Sequence, residues 1–476
     1  MALQALTLAV IATGALLVQP AYAAVTSFYV DPVNGRDGNS GTSAEAAVKT
    51  IQRAQEKVRA VNSAMSGDIV VNLRGGIYAL TTPINFTTED SGSNGHSVIY
   101  RAYGTETPVV TSGKTITGWT AADNGQYKAP LAELNLRQMY VNGVRGTRAR
   151  YPDIGSNFQL QSSDLEKRVL RVLGTQVDDW ENFSQVEMVL QLQWAENFLR
   201  LKSYTNANGL ASVSIQDREA DILFKRPYPR LSNGAPLHFE NAHEFLTEPG
   251  EFYVDTVEKV VYYLPRAGEN MSTAIVQAPT LETLFRIKGT DLDNPLHNLN
   301  FSGITFTQTT WMEATKHGLL NGQGGNYNLS ADTNNNQYVD RPPAGVYVAY
   351  ADAVSFTGNT FTQMGATALD VHRGVHNSTV TGNVVHDTAG NGIMVGKFSD
   401  PTVEFHTVYN PPISPEGEDV REVVAGITVT NNLINRVAQD YLGTAGINAG
   451  FIKDTTINHN DISDGAWAGI SLGWGW

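Results

Sequence analysis

The chain has no cysteine. That excludes a disulfide framework, a thiol nucleophile and a thiolate metal site. Positive charge is also scarce: 33 Lys and Arg stand against 47 Asp and Glu, a formal net charge of -14. Phosphate affinity comes mostly from Lys and Arg, so no nucleic-acid partner is expected. Long apolar runs are missing beyond the first two dozen residues, so no membrane-spanning helix is predicted. Leu6 to Leu17 is apolar but short, and Ala21-Tyr22-Ala23 after it has a small-x-small cleavage pattern. Residues 1–23 therefore read as a secretory signal peptide. This predicts a secreted, extracellular protein, or a periplasmic one in a bacterium. Charged residues are only 17% against 41% hydrophobic, a balance that belongs to a folded chain.

The 476 residues exceed the roughly 250–300 that one ordinary core supports. Several domains or an elongated fold are the alternatives. Residues 24–120 open with Phe28-Tyr29-Val30 and a Gly/Asn/Asp-rich turn. Thr42 or Ser43 is placed to cap a helix with Val48, Ile51, Ala54, Val58 and Val61 on one face. Short strands follow. Residues 121–275 lack any repeat and read as an inserted, accessory β-rich lobe, with a hairpin from Glu251–Asp255 and Lys259–Leu264.

Residues 276–476 carry a repeat. Val354–Phe361, Ser378–Val385, Ile427–Ile434 and Thr455–Ile462 align with Leu299–Phe306, and four of these five segments have Asn in the sixth place: Asn359, Asn383, Asn432 and Asn460. The spacings of 24, 49 and 28 residues fit one coil of about 24 residues with insertions, which marks a solenoid. Alternation inside each segment turns Val, Ile and Phe inward. Stacked asparagines would form a ladder at a turn. The predicted fold is all-β, a right-handed parallel β-helix with an N-terminal capping helix and the accessory lobe.

Three stretches carry a family resemblance: Tyr29-Val30-Asp31 with Gly41-Thr42 and Lys49-Thr50-Ile51; Gly365-Ala366-Thr367-Ala368-Leu369-Asp370; and Ile462-Ser463-Asp464 with Gly469 to Trp476. The chain resembles secreted β-helix proteins related to glycoside hydrolase family 141, within the pectin-lyase-like superfamily. The resemblance implies a glycosidase acting on a polysaccharide or oligosaccharide, with fucosidase and xylanase activities known in that family. It does not assign catalytic roles to individual residues.

A second repeat places Asp370, Met394, Asn448 and Ser471 in one outward row beside small residues. Such a row predicts an open groove along stacked strands. Asp370 is its one charge. The coil after Asn432 is longer than its neighbours: 16 residues separate Asn432 from Asn448, against 11 from Asn359 to Asp370. The extra turn holds Asp440 and Tyr441. Hydrolysis of a glycosidic bond normally needs two carboxyl groups, roughly 5–5.5 Å apart for retention or 6.5–9.5 Å for inversion. Asp440 and Asp464 in successive coils are the first pair to consider; Asp370 and Asp400 are further candidates. Asp464 also matches Asp387, since both stand four residues after a ladder Asn, so a turn-capping role competes. His372, Lys397, Tyr441, Asn448, Trp467 and Trp474 are candidate sugar contacts. Trp476 is a third tryptophan near the end, and a core role competes for all three.

No cofactor is expected and no metal site is assigned. His372, His376 and His386 lack ligand spacing. Glu416, Glu418 and Asp419 read as a solvated loop rather than a Ca²⁺ site. A polysaccharide lyase of the same fold is the main alternative. It would need an Arg or Lys base, for which Arg436 and Lys453 are available, and usually Ca²⁺. Residues 346–476 hold only five Lys and Arg, a thin supply for an anionic chain. A non-catalytic glycan-binding solenoid is the second alternative. A monomer is expected. The run to Trp476 reads as the middle of a strand, which predicts further coils or a covering partner.

Overall fold

The computed structural model describes residues 25–132, 135–334, 337–397 and 420–473. The signal-peptide reading of 1–23, Asp400, Trp474, Trp476 and the loop of Glu416, Glu418 and Asp419 lie outside them. No described helix is long and apolar enough to cross a membrane.

Three parallel sheets wrap one hydrophobic core. The first begins with Thr26–Val30, Ile69–Leu73, Val98–Ala102, Leu296–Ser302 and Ala351–Thr357. The second runs through Gly76–Ala79, Pro108–Thr111, Thr305–Thr307, Thr360–Met364, Val384–Thr388, Leu433–Asn435 and Asp461–Ser463. The third runs through Ile84–Phe86, Phe285–Lys288, Ala344–Ala349, Thr367–Val371, Ile393–Val395, Ala445–Ala449 and Ala468–Leu472. Each coil takes one strand from each sheet in turn. This is a parallel β-helix, as the repeat predicts.

The inward side chains stack coil on coil. Phe301 lies on Phe356 with centroids 5.4 Å apart, and Phe306 on Phe361 at 5.1 Å. The asparagines form the expected ladder between the first and second sheets. Asn359 N–H donates to Asn383 Oδ1 (2.9 Å), Asn383 N–H to Asn432 Oδ1 (2.9 Å) and Asn432 N–H to Asn460 Oδ1 (3.1 Å). Each rung satisfies buried backbone donors that a tight turn would otherwise orphan.

The capping helix is shorter than predicted. It spans Ile51–Arg59, and Thr50, not Thr42 or Ser43, is its cap. The reason is Asp37, whose carboxylate accepts the Lys49 and Thr50 N–H groups at 2.9 Å. Val48 is meanwhile drawn into a bridge with Val30. Residues 42–49 therefore form bends, a turn and an isolated bridge instead of helix.

The large excursions share one corner, between the second and third sheets. The chain leaves the helix after Thr111 and rejoins it at Phe285. Between these points the lobe folds into antiparallel sheets around its own apolar clusters. Its Glu251–Asp255 strand pairs with Val260–Tyr263 as the hairpin pattern predicts. Residues 308–343 leave from the same corner one coil later, and the longer turn at 436–444 leaves from it again. Val189 and Phe198 of the lobe, Trp311 and Tyr327 of the second excursion, and Tyr441 of the turn pack into one cluster. That cluster welds the lobe to the helix.

Candidate active site

The outward row of the third sheet exists in the predicted register: Asp370 pairs with Met394, Met394 with Asn448, and Asn448 with Ser471. It is not an open groove. Residues of the 308–343 excursion cover it. Arg341 Nη2 donates to Asp370 Oδ1 at 2.6 Å, and Asn448 Nδ2 donates to the Gly324 carbonyl at 2.7 Å. Asp370, Met394 and Asn448 are buried. Burial pushes the Asp370 carboxyl up to about 6 against the pull of Arg341. His372 lies beside it, with Nδ1 2.8 Å from the Tyr347 hydroxyl. Burial, with Arg341, Arg373 and Lys397 nearby, pushes its pKa down. Lys397 is ion-paired to Glu422 at 2.8 Å. These four candidates sit together, but beneath a cover.

Asp464 and Trp467 are exposed on the last described coil. Asp464 takes the left-handed backbone, φ 52°, as does Asp387, φ 55°. Both stand at the same position of the second-sheet register; Asp387 lies inside the strand Val384–Thr388 and binds Arg145 rather than capping a turn, whereas Asp464 follows the end of its strand. Tyr441 is no sugar platform. It is buried, with its ring edge-on to Phe198 at 5.5 Å and Trp311 at 4.8 Å.

Asp440, its neighbour in the longer turn, points the other way, into a cleft of about 300 Å³ between the turn and the lobe. Two lobe residues hold its Oδ2: Gln138 Nε2 at 3.2 Å and Arg145 Nη1 at 3.1 Å. Arg145 Nε also binds Asp387 Oδ1 at 2.8 Å. One guanidinium thus ties two coils of the helix to the lobe. Behind it, Glu187 is fully buried between Arg137 (2.6 Å) and Arg148 (3.1 Å). Arg148 also reaches Glu240 at 3.3 Å.

Two lobe carboxyls face the same cleft and carry no sequence signal. Glu196 is 4% exposed, and its Oε2 accepts the Leu442 N–H at 2.9 Å. Burial pushes this carboxyl up to about 8; the Leu442 hydrogen bond opposes the shift, and the Glu240 charge adds to it. Glu240 behaves oppositely. Burial would raise it, but His238, 3.1 Å away, together with Arg137 and Arg148, holds it well below the usual carboxylate range. A cleft in which one carboxyl, Glu196, is pushed up and another, Glu240, is held low has the division of labour that acid–base catalysis needs.

A larger cavity, about 810 Å³, lies against the last coil and is lined by residues such as His376, Ile452, Lys453 and Leu472. No carboxylate lines it among the described residues. Lys453 stands at this cavity, and Arg436 stands at the cleft. No cluster of three or more potential metal ligands occurs among the described residues.

Two family models match the chain: the GH141 insertion domain over residues 122–266 and the right-handed β-helix region over 371–473. A solved structure described as a glycoside hydrolase is 31% identical, with a TM-score of 0.89 over 94% of this chain and 80% of that one. The chain belongs to the GH141-like glycoside hydrolases. The cleft of this hydrolase lies where its insertion domain meets the β-helix. Two further structures are distant. One is a complex of XylC with xylose (12% identical, TM-score 0.48, 94% of this chain and 60% of that one). The other is the GH136 lacto-N-biosidase from Eubacterium ramulus (10%, 0.34, 92% and 45%). Neither carries an argument about this chain. No curated protein matches it.

Proposed function

We propose that the protein hydrolyses a glycosidic bond of a polysaccharide or oligosaccharide held in this cleft. Glu196 is the general acid and Asp440 the base or nucleophile. The observation that carries the reading is that one cleft is lined both by the buried Glu196, whose carboxyl is pushed up to about 8, and by an Asp440 held by Arg145. In the reaction the Glu196 proton passes to the leaving glycosidic oxygen as the bond to the anomeric carbon breaks. Asp440 either takes a proton from the attacking water or bonds to the anomeric carbon itself. Gln138 and Arg145 fix the direction in which Asp440 points. The apolar segment at residues 6–17 suits a secreted enzyme whose substrate is extracellular.

Fucosylated and xylan-derived oligosaccharides are the first substrates to try, since the family resemblance implies those activities. Release of reducing ends without absorbance at the unsaturated-uronate band supports hydrolysis. Glu196→Gln and Asp440→Asn should each lower kcat by about 10²–10⁴, with unchanged circular dichroism. Near-normal turnover in both variants overturns the assignment.

A further inference from the structure

Not every arginine of the cleft has an ion-pair partner among the described residues. Five arginines line it: Arg137, Arg145, Arg148, Arg150 and Arg436. The first three are each matched to a carboxylate within 4.0 Å, namely Glu187, Glu240, Asp387 or Asp440. Arg150 and Arg436 have no such partner among the described residues. Arg150 donates Nε to the Pro152 carbonyl (2.9 Å) and Nη2 to the Ser156 carbonyl (3.1 Å) and Asn157 Oδ1 (3.4 Å), which leaves its Nη1 for a ligand. Glu240, Glu251 and Asp153 act on it through space, none of them within 4.0 Å.

Arg436 is exposed, and its place in the fold is informative. It occupies the corner position that Gln308, Gln363, Asp387 and Asp464 occupy in the other coils, all with left-handed backbone. Only the coil that carries the longer turn puts a cation there, and that turn lines the cleft. A guanidinium fork matches a carboxylate or a sulfate with two parallel hydrogen bonds. On a chain of net charge -14, an anion has no general attraction to the surface, so local cations must supply it.

We infer that the glycan bound here is anionic, with a carboxylate or sulfate group received by Arg436 on the helix side and Arg150 on the lobe side. This rests on the cleft being the substrate site, as proposed above. The two sources of the charge share one chemistry: a planar or tetrahedral oxyanion on a sugar ring.

The test is calorimetric binding to the full chain. The probes are an oligouronate, the same oligomer with its carboxyls reduced to alcohols, and a sulfated oligosaccharide. At least one charged probe should bind about tenfold more tightly than the reduced one, and its affinity should fall with added salt. Arg436→Gln should remove most of that preference and leave the reduced oligomer unaffected. Arg436→Lys, which keeps the charge, should retain part of it. The two charged probes distinguish carboxylate from sulfate. Equal affinity for charged and reduced oligomers, an equal loss of both in Arg436→Gln, or no binding of either charged probe overturns the inference. Turnover is read separately. Anion preference without hydrolysis overturns the Glu196–Asp440 assignment and leaves the recognition standing, and product absorbance would replace hydrolysis with elimination.

Discussion

Glu196 sets the pH behaviour. Its active form is the protonated one, and burial keeps the proton on up to about pH 8. Activity should therefore fall as pH rises through about 8, and a pH–rate profile checks this. Stability has the same sign. The folded-state pKa lies above the ordinary glutamate value of 4.5, so the stabilising proton is fully effective below about 4.5 and is lost as pH rises towards 8. Asp464 behaves differently. It is exposed at a turn position, so Asp464→Asn should leave turnover within about twofold of wild type, measured on the substrate used for Asp440→Asn. Asp370 pairs with Arg341 in a buried site. Asp370→Asn should cost about 3–5 kcal/mol in denaturant unfolding, because one partner of a buried ion pair is removed.

The ladder makes a prediction at the element scale. The Asn383 side chain accepts from Asn359 and donates to the Phe356 carbonyl and to Asn432. Asn383→Ala removes hydrogen bonds to groups on both neighbouring coils and should cost about 2–4 kcal/mol, read from the urea midpoint. These elements were the legible part of the chain. Period-2 alternation and the recurring asparagine identify the coils, because each coil repeats the same burial problem. The outward row was legible in register and not in exposure: nothing local to Asp370 or Asn448 announces that Arg341 and Gly324 will fold over them. The helix start was misplaced for a similar reason. Asp37 lies twelve residues before Lys49, and sequence periodicity does not see it.

At the scale of the whole molecule, one corner collects the lobe, the second excursion and the longer turn, and the cleft is their meeting place. The longer Asn432–Asn448 spacing pointed to that turn, and among the described residues Asp440 was the one carboxylate candidate that the fold places in the cleft. Glu196 left no signal. Residues 195–199 are buried on both faces of their strand, so alternation is absent, and the lobe has no repeat to compare with. The count of five Lys and Arg covered 346–476 alone, and Arg137, Arg145, Arg148 and Arg150 reach the cleft from the lobe. Arg145 joins the two parts directly. Arg145→Gln should lower stability by about 2–3 kcal/mol and reduce kcat more than it raises KM, with Arg145→Lys recovering part of both. The most direct measurement is a crystal structure of the full chain carrying Glu196→Gln with an oligosaccharide bound. The account predicts a glycosidic oxygen within hydrogen-bond reach of the side chain at position 196 and the sugar lying between it and Asp440. A glycan seated along the third sheet at Asp370, or on the last coil at Asp464 and Trp467, with the cleft empty, would contradict it.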